Sequence, residues 1–322
     1  MIVLGLRQAE KVGKDQSMVR NGQRRHGTIA GSGRAAPIEP VPFSNPQHPG
    51  LGIEVLSLAQ LRERVPARHR HTRSRPDFHQ LMLVESGSTE HEIDFERHRC
   101  RGGGVLYLRP GQVQCFVRQA GAQGWVLLFR PDFLPHEPLL EARLGPASAV
   151  SFSLAAGERR CIGLAVPALA EAYGAIDGDA AWPRVLQQLL LAVLLQVARA
   201  QEEAGSSAGA QAPGMLRVYR RFVQELEHAF GHTREVAWFA QRIGCSTKTL
   251  SRACEALAGA SPKRVIERRV ALEAKRLLAH STLAVSAIGL ELGFSEPTNF
   301  VKFFRRCEGI TPAAFREGAA PG

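Results

Sequence analysis

Two groups of side chains have the types and spacing to do chemistry. The first lies near the C-terminus. If residues 247–257 and 296–307 are helical, Thr247, Lys248, Ser251 and Arg252 share an outward face of the first, and Glu296, Thr298, Asn299 and Lys302 one of the second. Hydrogen-bonding side chains carried on a helix are what read base edges in a DNA major groove. Arg or Lys suits guanine, Asn suits adenine, and a Glu carboxylate accepts from cytosine. Glu296 has a second use, because an acidic group also complements the positive end of a helix dipole. Arg305 and Arg306, one turn further on, are placed for phosphate.

The second group is His69, His71 and His79. An H-x-H pair on one strand can converge on a metal. The remainder of such a site is missing: after Pro110-Gly111 the expected ligand position holds Gln114, and no suitably spaced Glu follows His71. The expectation is no metal, no cofactor and no catalytic group. If the segment around these residues is a barrel, Arg75, His79, Tyr107, Arg109 and Gln114 become candidates to contact a small-molecule effector. An Arg among them suits a carboxylate through paired, charge-assisted hydrogen bonds. From sequence alone, each could equally lie on the surface.

The elements that must position these groups follow from charge and periodicity. The chain has 322 residues and a net charge of +11. Residues 1–50 carry +4, residues 51–205 are neutral, and residues 206–322 carry +7. A basic third joined to a neutral middle is the electrostatic footprint of a nucleic-acid-binding module, although solvated Arg-rich surface gives the same sum. The six cysteines are scattered without a C-x-x-C pair, as in a protein with free thiols in a reducing cytoplasm. The longest apolar run, Leu189–Leu195, is far short of the roughly 20 residues of a membrane span.

Residues 1–50 lack periodicity and read as a disordered basic tail. Phe78–Val84, Glu92–Glu96, Val105–Leu108, Val113–Val117 and Trp125–Phe129 read as short strands. Turn chemistry separates them at Gly87, Gly102–Gly104, Pro110-Gly111 and Gly121–Gly124, which implies a sandwich or jelly-roll barrel. Glu158–Tyr173 and Trp182–Ala200 then switch to helical spacing. The second is apolar on nearly every side, so it should be buried on more than one face, one against the barrel and the other against a second subunit, unless its own domain covers it wholly. Gln201–Gly214 is rich in Gly, Ala and Ser and reads as a flexible linker.

Beyond it, helices alternate with caps. Thr233, Ser246, Ser261 before Pro262, Ser295, and Thr311 before Pro312 mark helix starts, and Gly231, Gly244, Gly259, Gly293 and Gly309 mark ends. Ala240 before Gly244, with Leu250 after it, has helix-turn-helix spacing. So does Gly289 before Gly293, with Phe300 after it. Phe294, Phe300, Phe303, Phe304 and Phe315 recur as a core face rather than a stacking surface.

These residues resemble the AraC/XylS family of bacterial transcription regulators. The resemblance is carried by S-x-x-x-L-S-R (246–252), A-G-A-S-P (258–262), R-V-x-x-x-A-x-x-L-L (269–278), G-F-S-E-P-T-N-F-V-K-F-F-R-R (293–306) and G-I-T-P-x-x-F-R (309–316). It covers about 100 residues. Two positions depart from the family pattern: Gly289, where Ala is usual, and Pro297 in the first turn of the second recognition helix. A weaker likeness links residues 51–135 to the cupin-like sensor half of the same regulators.

The resemblance implies an α+β multidomain chain. A cupin-like β-barrel with a helical dimerisation segment (51–205) is joined by a linker (206–214) to an all-α seven-helix domain with two helix-turn-helix motifs (215–318). It implies a cytoplasmic, homodimeric, effector-responsive regulator of promoter DNA, such as an activator working with RNA polymerase. The competing reading is a cupin-type small-molecule binding protein or metal-independent enzyme fused to a DNA-docking module.

Overall fold

The computed structural model describes residues 39–65, 72–206 and 213–318. His69, His71, most of the expected tail and residues 207–212 of the expected linker lie outside that range. Among the described residues, eight strands form one curled sheet: β1 (Glu39–Val41), β2 (Ile53–Ser57), β3 (Ser74–Pro76), β4 (His79–Ile93), β5 (Glu96–Arg101), β6 (Gly104–Leu108), β7 (Gln114–Phe129) and β8 (Ser151–Ser153). The order is β1-β3-β7-β4-β6-β8, with β2 also on β7 and β5 also on β4. The end of the segment read as a tail is therefore structured. β1 pairs in parallel with β3, and Asn45 is buried, donating Nδ2 to the Ile53 carbonyl at 2.7 Å.

The five short strands expected from turn residues become two long strands and two short ones. β4 and β7 pass straight through Gly87 and through Gly121–Gly124. Those glycines sit at register shifts between the paired strands, where the chain bulges and the sheet curls. Gly124 has φ +138°, and a Cβ there would stand 2.0 Å from the Leu83 carbonyl oxygen. The expected strand at Glu92–Glu96 is in fact a reversal. Ile93 pairs with Glu96 across a two-residue turn, Asp94-Phe95, with both residues at positive φ. No Gly or Asn announces it.

Alternation sends side chains to opposite faces of the sheet. On one face Ile53, Val55, Leu81, Leu83, Val105, Leu127 and Phe129 pack on helices α3 (Ala156–Gly174) and α4 (Trp182–Ser206). On the other, Leu56, Met82, Val84, Leu106, Leu108, Val126 and Leu128 enclose α1 (Leu58–Arg64). A further helix, α2 (Pro138–Leu144), also packs near α4. α4 runs to Ser206, so it extends into the stretch whose composition reads as linker. Its inward residues Leu186, Leu190, Val193, Leu194 and Val197 are each at most 1% exposed within this chain. The apolar breadth of α4 is thus largely absorbed by its own domain. Leu190 and Leu194 do not face outward as a subunit interface on that helix would require.

The C-terminal half comprises α5 (Pro213–Ala229), α6 (Val236–Arg242), α7 (Thr247–Ala258), α8 (Pro262–His280), α9 (Val285–Glu291), α10 (Pro297–Glu308) and α11 (Pro312–Gly318). They share a core of Phe222, Phe239, Ile266, Val270, Phe300 and Phe304. The phenylalanines expected as core are there, with Phe315 half-buried against them.

Candidate nucleic-acid interface

Each helix-turn-helix is closed by chemistry written locally. Ser246 Oγ accepts from Thr249 N at 3.1 Å and starts α7, and Gly259, at φ +57°, ends it. Ser261 Oγ accepts from Arg264 N and starts α8. Two caps shift from their expected positions. α6 begins after Glu235, not Thr233, and the Thr233 hydroxyl accepts instead from Glu235 N. α10 begins after Glu296, which makes no side-chain capping bond, so Ser295 is not the cap. Pro297 then occupies the first helical position, where its missing N–H costs nothing.

Burial divides α7 and α10, the second helices of the two motifs, cleanly. On α7, Leu250, Ala253 and Cys254 turn inward, Thr247, Lys248 and Arg252 are exposed, and Ser251 is half-buried. On α10, Phe300, Phe303 and Phe304 turn inward, and Glu296, Thr298, Asn299, Lys302, Arg305 and Arg306 are exposed. The Glu296 carboxylate accepts from the Thr298 hydroxyl at 3.4 Å, which ties it to its own helix start. Arg306 Nη2 donates to Glu267 Oε1 at 3.0 Å, so part of its charge is already answered within the domain.

Helix α8 spans 19 residues, about 28 Å at 1.5 Å per residue, and packs against α7, α9, α10 and α11. It is the spacer between the two motifs, and its length approaches the roughly 34 Å turn of B-DNA. The approach of α9 to α10 explains Gly289. A Cβ there would stand 3.0 Å from Phe300 Cβ and 3.2 Å from Cγ, so Gly lets a full-sized Phe fill the core at that crossing.

The five effector candidates do not form one site: His79, Tyr107 and Arg109 come together, with the Arg109 guanidinium 5.3 Å from the Tyr107 ring centroid, whereas Arg75 and Gln114 have other partners. His79 stacks between Tyr107 and Phe129, and its Nδ1 lies 2.8 Å from the Tyr107 hydroxyl, in the layer between sheet and helices. Burial, with the Arg109 charge adding to it, pushes the His79 pKa down to about 4, and burial pushes Tyr107 up to about 12. Arg109 is a clasp: Nε donates to the Leu144 carbonyl and Nη2 to Ser148. Arg75 donates Nε to the Gly111 carbonyl and Nη2 to Glu273 of α8.

Gln114 lies on the concave side, where the sequence reading missed its neighbours. Gln114 Nε2 donates to Gln80 Oε1 at 3.4 Å, and Thr89 Oγ1 lies 2.8 Å from His91 Nε2. Among the described residues, Gln80 Nε2, Gln114 Oε1 and His91 Nδ1 are buried without a hydrogen-bond partner. Burial, then the nearby His98, pushes His91 down to about 3. The signal that could have found His91 and Gln80 was a polar residue at an inward strand position, obscured by the bulges that change inward parity between Val84 and Thr89.

Comparisons with known proteins agree with this division. A family model for a helix-turn-helix domain matches residues 239–318, and one for an AraC-like ligand binding domain matches residues 60–172. The chain is 26% identical over 255 residues to the HTH-type transcriptional activator RhaS of Escherichia coli, covering 75% of this chain and 86% of that protein. It is 25% identical over 253 residues to RhaS of Salmonella agona, with the same coverage. Among solved structures, a transcriptional regulator with an AraC-type DNA-binding domain from Chromobacterium violaceum is 25% identical. That match covers 34% of this chain and all of the other, with a TM-score of 0.32.

Proposed function

Because this chain belongs to the AraC/XylS family of transcription regulators and is a sequence-specific DNA-binding regulator, we propose that α7 and α10 enter adjacent major grooves on one face of promoter DNA. The observation that carries this reading is the pair of exposed polar faces on α7 and α10, both of which pack against α8. Thr247, Lys248, Ser251 and Arg252 serve one groove, and Thr298, Asn299 and Lys302 the other. Arg305 contacts phosphate, and Arg306 does so while shared with Glu267. Glu296 acts chiefly at the start of its helix. The domain is the family's seven-helix, double helix-turn-helix unit, spanning residues 215–318.

Residues 51–205 serve as a cupin-like effector domain. The polar atoms of Gln80, Gln114 and His91 that are buried without a partner among the described residues support a small polar effector on their side of the sheet, since buried polar groups normally find partners. The regulator acts as a cytoplasmic homodimer. Any subunit surface on α4 uses Val185, Gln188 and Ala192, which are exposed, rather than the inward leucines. The names of its relatives support an activator, and so a contact with RNA polymerase. No described helix is long and apolar enough to cross a membrane.

The test is selection of duplexes from a random pool by the full chain, followed by footprinting. Two protected major-groove segments about one helical turn apart are expected. Protection with no sequence preference overturns the reading.

A further inference from the structure

We infer that the tip of the β4–β5 hairpin is a docking element through which the effector domain fixes the pose of the DNA-binding domain. The tip is built at a cost. A two-residue hairpin turn with both residues at positive φ is ordinarily made from Asn-Gly or Asp-Gly. Here Asp94 has φ 51° and Phe95 φ 71°. Asp tolerates that region, but a bulky Phe is strained in it. Strain of this kind persists where the surroundings over-determine it, and here both domains supply those surroundings.

The Asp94 carboxylate receives both arms of Arg276 from α8, Nε to Oδ1 at 2.9 Å and Nη2 to Oδ2 at 2.7 Å. It is held in place by its own domain, accepting from Val113 N and Gln112 Nε2. Arg276 is 8% exposed and also donates to Glu273. Glu273 in turn receives Arg75 of β3 and Arg269, and Arg269 grips Glu227 of α5. Burial opposes ionisation of Glu273, but Arg276, Arg269 and Arg75 outweigh it and hold the carboxyl below its ordinary range. Beside this network the Phe95 ring meets Phe315 of α11 edge-on, with centroids 5.8 Å apart. Arg73 and Lys275 place their charges 5.5 and 5.6 Å from the same ring.

The contact falls on α8 and α11, the helices against which the second motif packs, and α8 also supports the first. Thr247, Lys248, Arg252, Thr298, Asn299 and Lys302 remain exposed while the tip is docked. The docked pose therefore leaves the reading faces open and orders the helix that spaces them. Through this contact an effector that changes the sheet alters DNA binding by changing the relative stability of the docked pose. The DNA arm of the inference rests on the function proposed above; the docking arm does not.

The test uses the full chain carrying F95G and R276Q together, beside F95G alone. Gly takes φ 71° freely, so F95G keeps the turn while removing the ring, and Asp94 is left intact to hold Gln112 and Val113. Small-angle scattering of the double variant should give a larger radius of gyration than wild type, with unchanged far-UV circular dichroism, and F95G should fall between. Affinity for a duplex selected by the wild-type chain should drop at least about five-fold, the low end of coupling between sites. An unchanged radius in both variants overturns the docking. A larger radius with unchanged affinity overturns its control of DNA binding. If the wild-type chain selects no duplex, the DNA reading fails and scattering still judges the docking.

Discussion

Arg234 lies over the face of Phe294, its guanidinium carbon 3.7 Å from the ring centroid, and donates Nη2 to the Leu292 carbonyl. The first residue belongs to the approach to the first helix-turn-helix and the second to the turn of the other motif. One side chain thus joins the two motifs at a point 58 residues apart in sequence. A stacked, partly desolvated cation–π contact contributes up to about 2 kcal/mol, and a charge-assisted hydrogen bond to a carbonyl adds to it. Arg234→Ala should lower the denaturant midpoint of the DNA-binding domain by an amount equivalent to about 2 kcal/mol. Arg234→Lys should recover less than half, because an ammonium cannot stack and reach the carbonyl together. Equal stability of the Lys variant and wild type contradicts the stacked role.

Arg252 is exposed on α7 beyond the buried Leu250, Ala253 and Cys254. Arg252→Ala should weaken binding to a selected duplex by about 1–3 kcal/mol and relax preference at one base pair. The same loss on every duplex would make it a phosphate contact. No loss would remove it from the interface.

Leu190 is fully buried against the sheet layer, whereas Val185 is exposed on the same helix. Leu190→Lys should therefore destabilise the fold, by about 3 kcal/mol or more, rather than yield a folded monomer. Val185→Asp combined with Ala192→Asp should leave the thermal midpoint nearly unchanged and halve the sedimentation mass. A dimer that survives those two changes places the subunit contact off α4.

Gly289 and Gly293 predict different penalties. Gly289→Ala gains about 1 kcal/mol of helix propensity but presses a methyl onto fully buried Phe300, and overpacking costs about 1–3 kcal/mol. A net loss near 1 kcal/mol is expected. At Gly293, φ is +76° and a Cβ would stand 2.2 Å from the Gly231 carbonyl oxygen, so Gly293→Ala should cost clearly more. Chemical denaturation of the two variants side by side measures the order.

His79 and His91 are held neutral by burial, with folded pKa values of about 4 and about 3 against an ordinary 6.5. The unfolded chain therefore takes up their protons first. Their neutral burial costs nothing above pH 6.5, and stability falls as the pH drops from there toward 4. The slope is at most about 1.4 kcal/mol per pH unit for each histidine. His79→Gln, which keeps a hydrogen-bonding partner for Tyr107, should flatten part of this slope in urea titrations between pH 7 and 4.5. An unchanged slope would place the acid sensitivity elsewhere.

The C-terminal half was legible in the sequence because its signals are local. Ser246 and Ser261 accept from backbone amides three residues on, Gly259 and Gly309 take the left-handed conformation that ends a helix, and Phe300, Phe303 and Phe304 recur at helical spacing. A helix is set by neighbours within about four residues, so its faces, and with them Arg252, Asn299 and Lys302, can be read from spacing alone. The sheet was different, because strand pairing joins residues far apart and a single bulge reverses which side chains face inward. Glycines that resembled turns at 87 and 121–124 became bulges within two long strands. The real turn at Asp94-Phe95 carries no turn residue beyond the Asp. Inward parity therefore had to come from the register of β4 on β7, and it moved Tyr107 and His79 to the helix side and His91 to the concave one. The meeting of Asp94 with Arg276 depends on two segments 182 residues apart closing on each other. Only the packed tertiary structure supplies that contact, since nothing local in either segment encodes its partner.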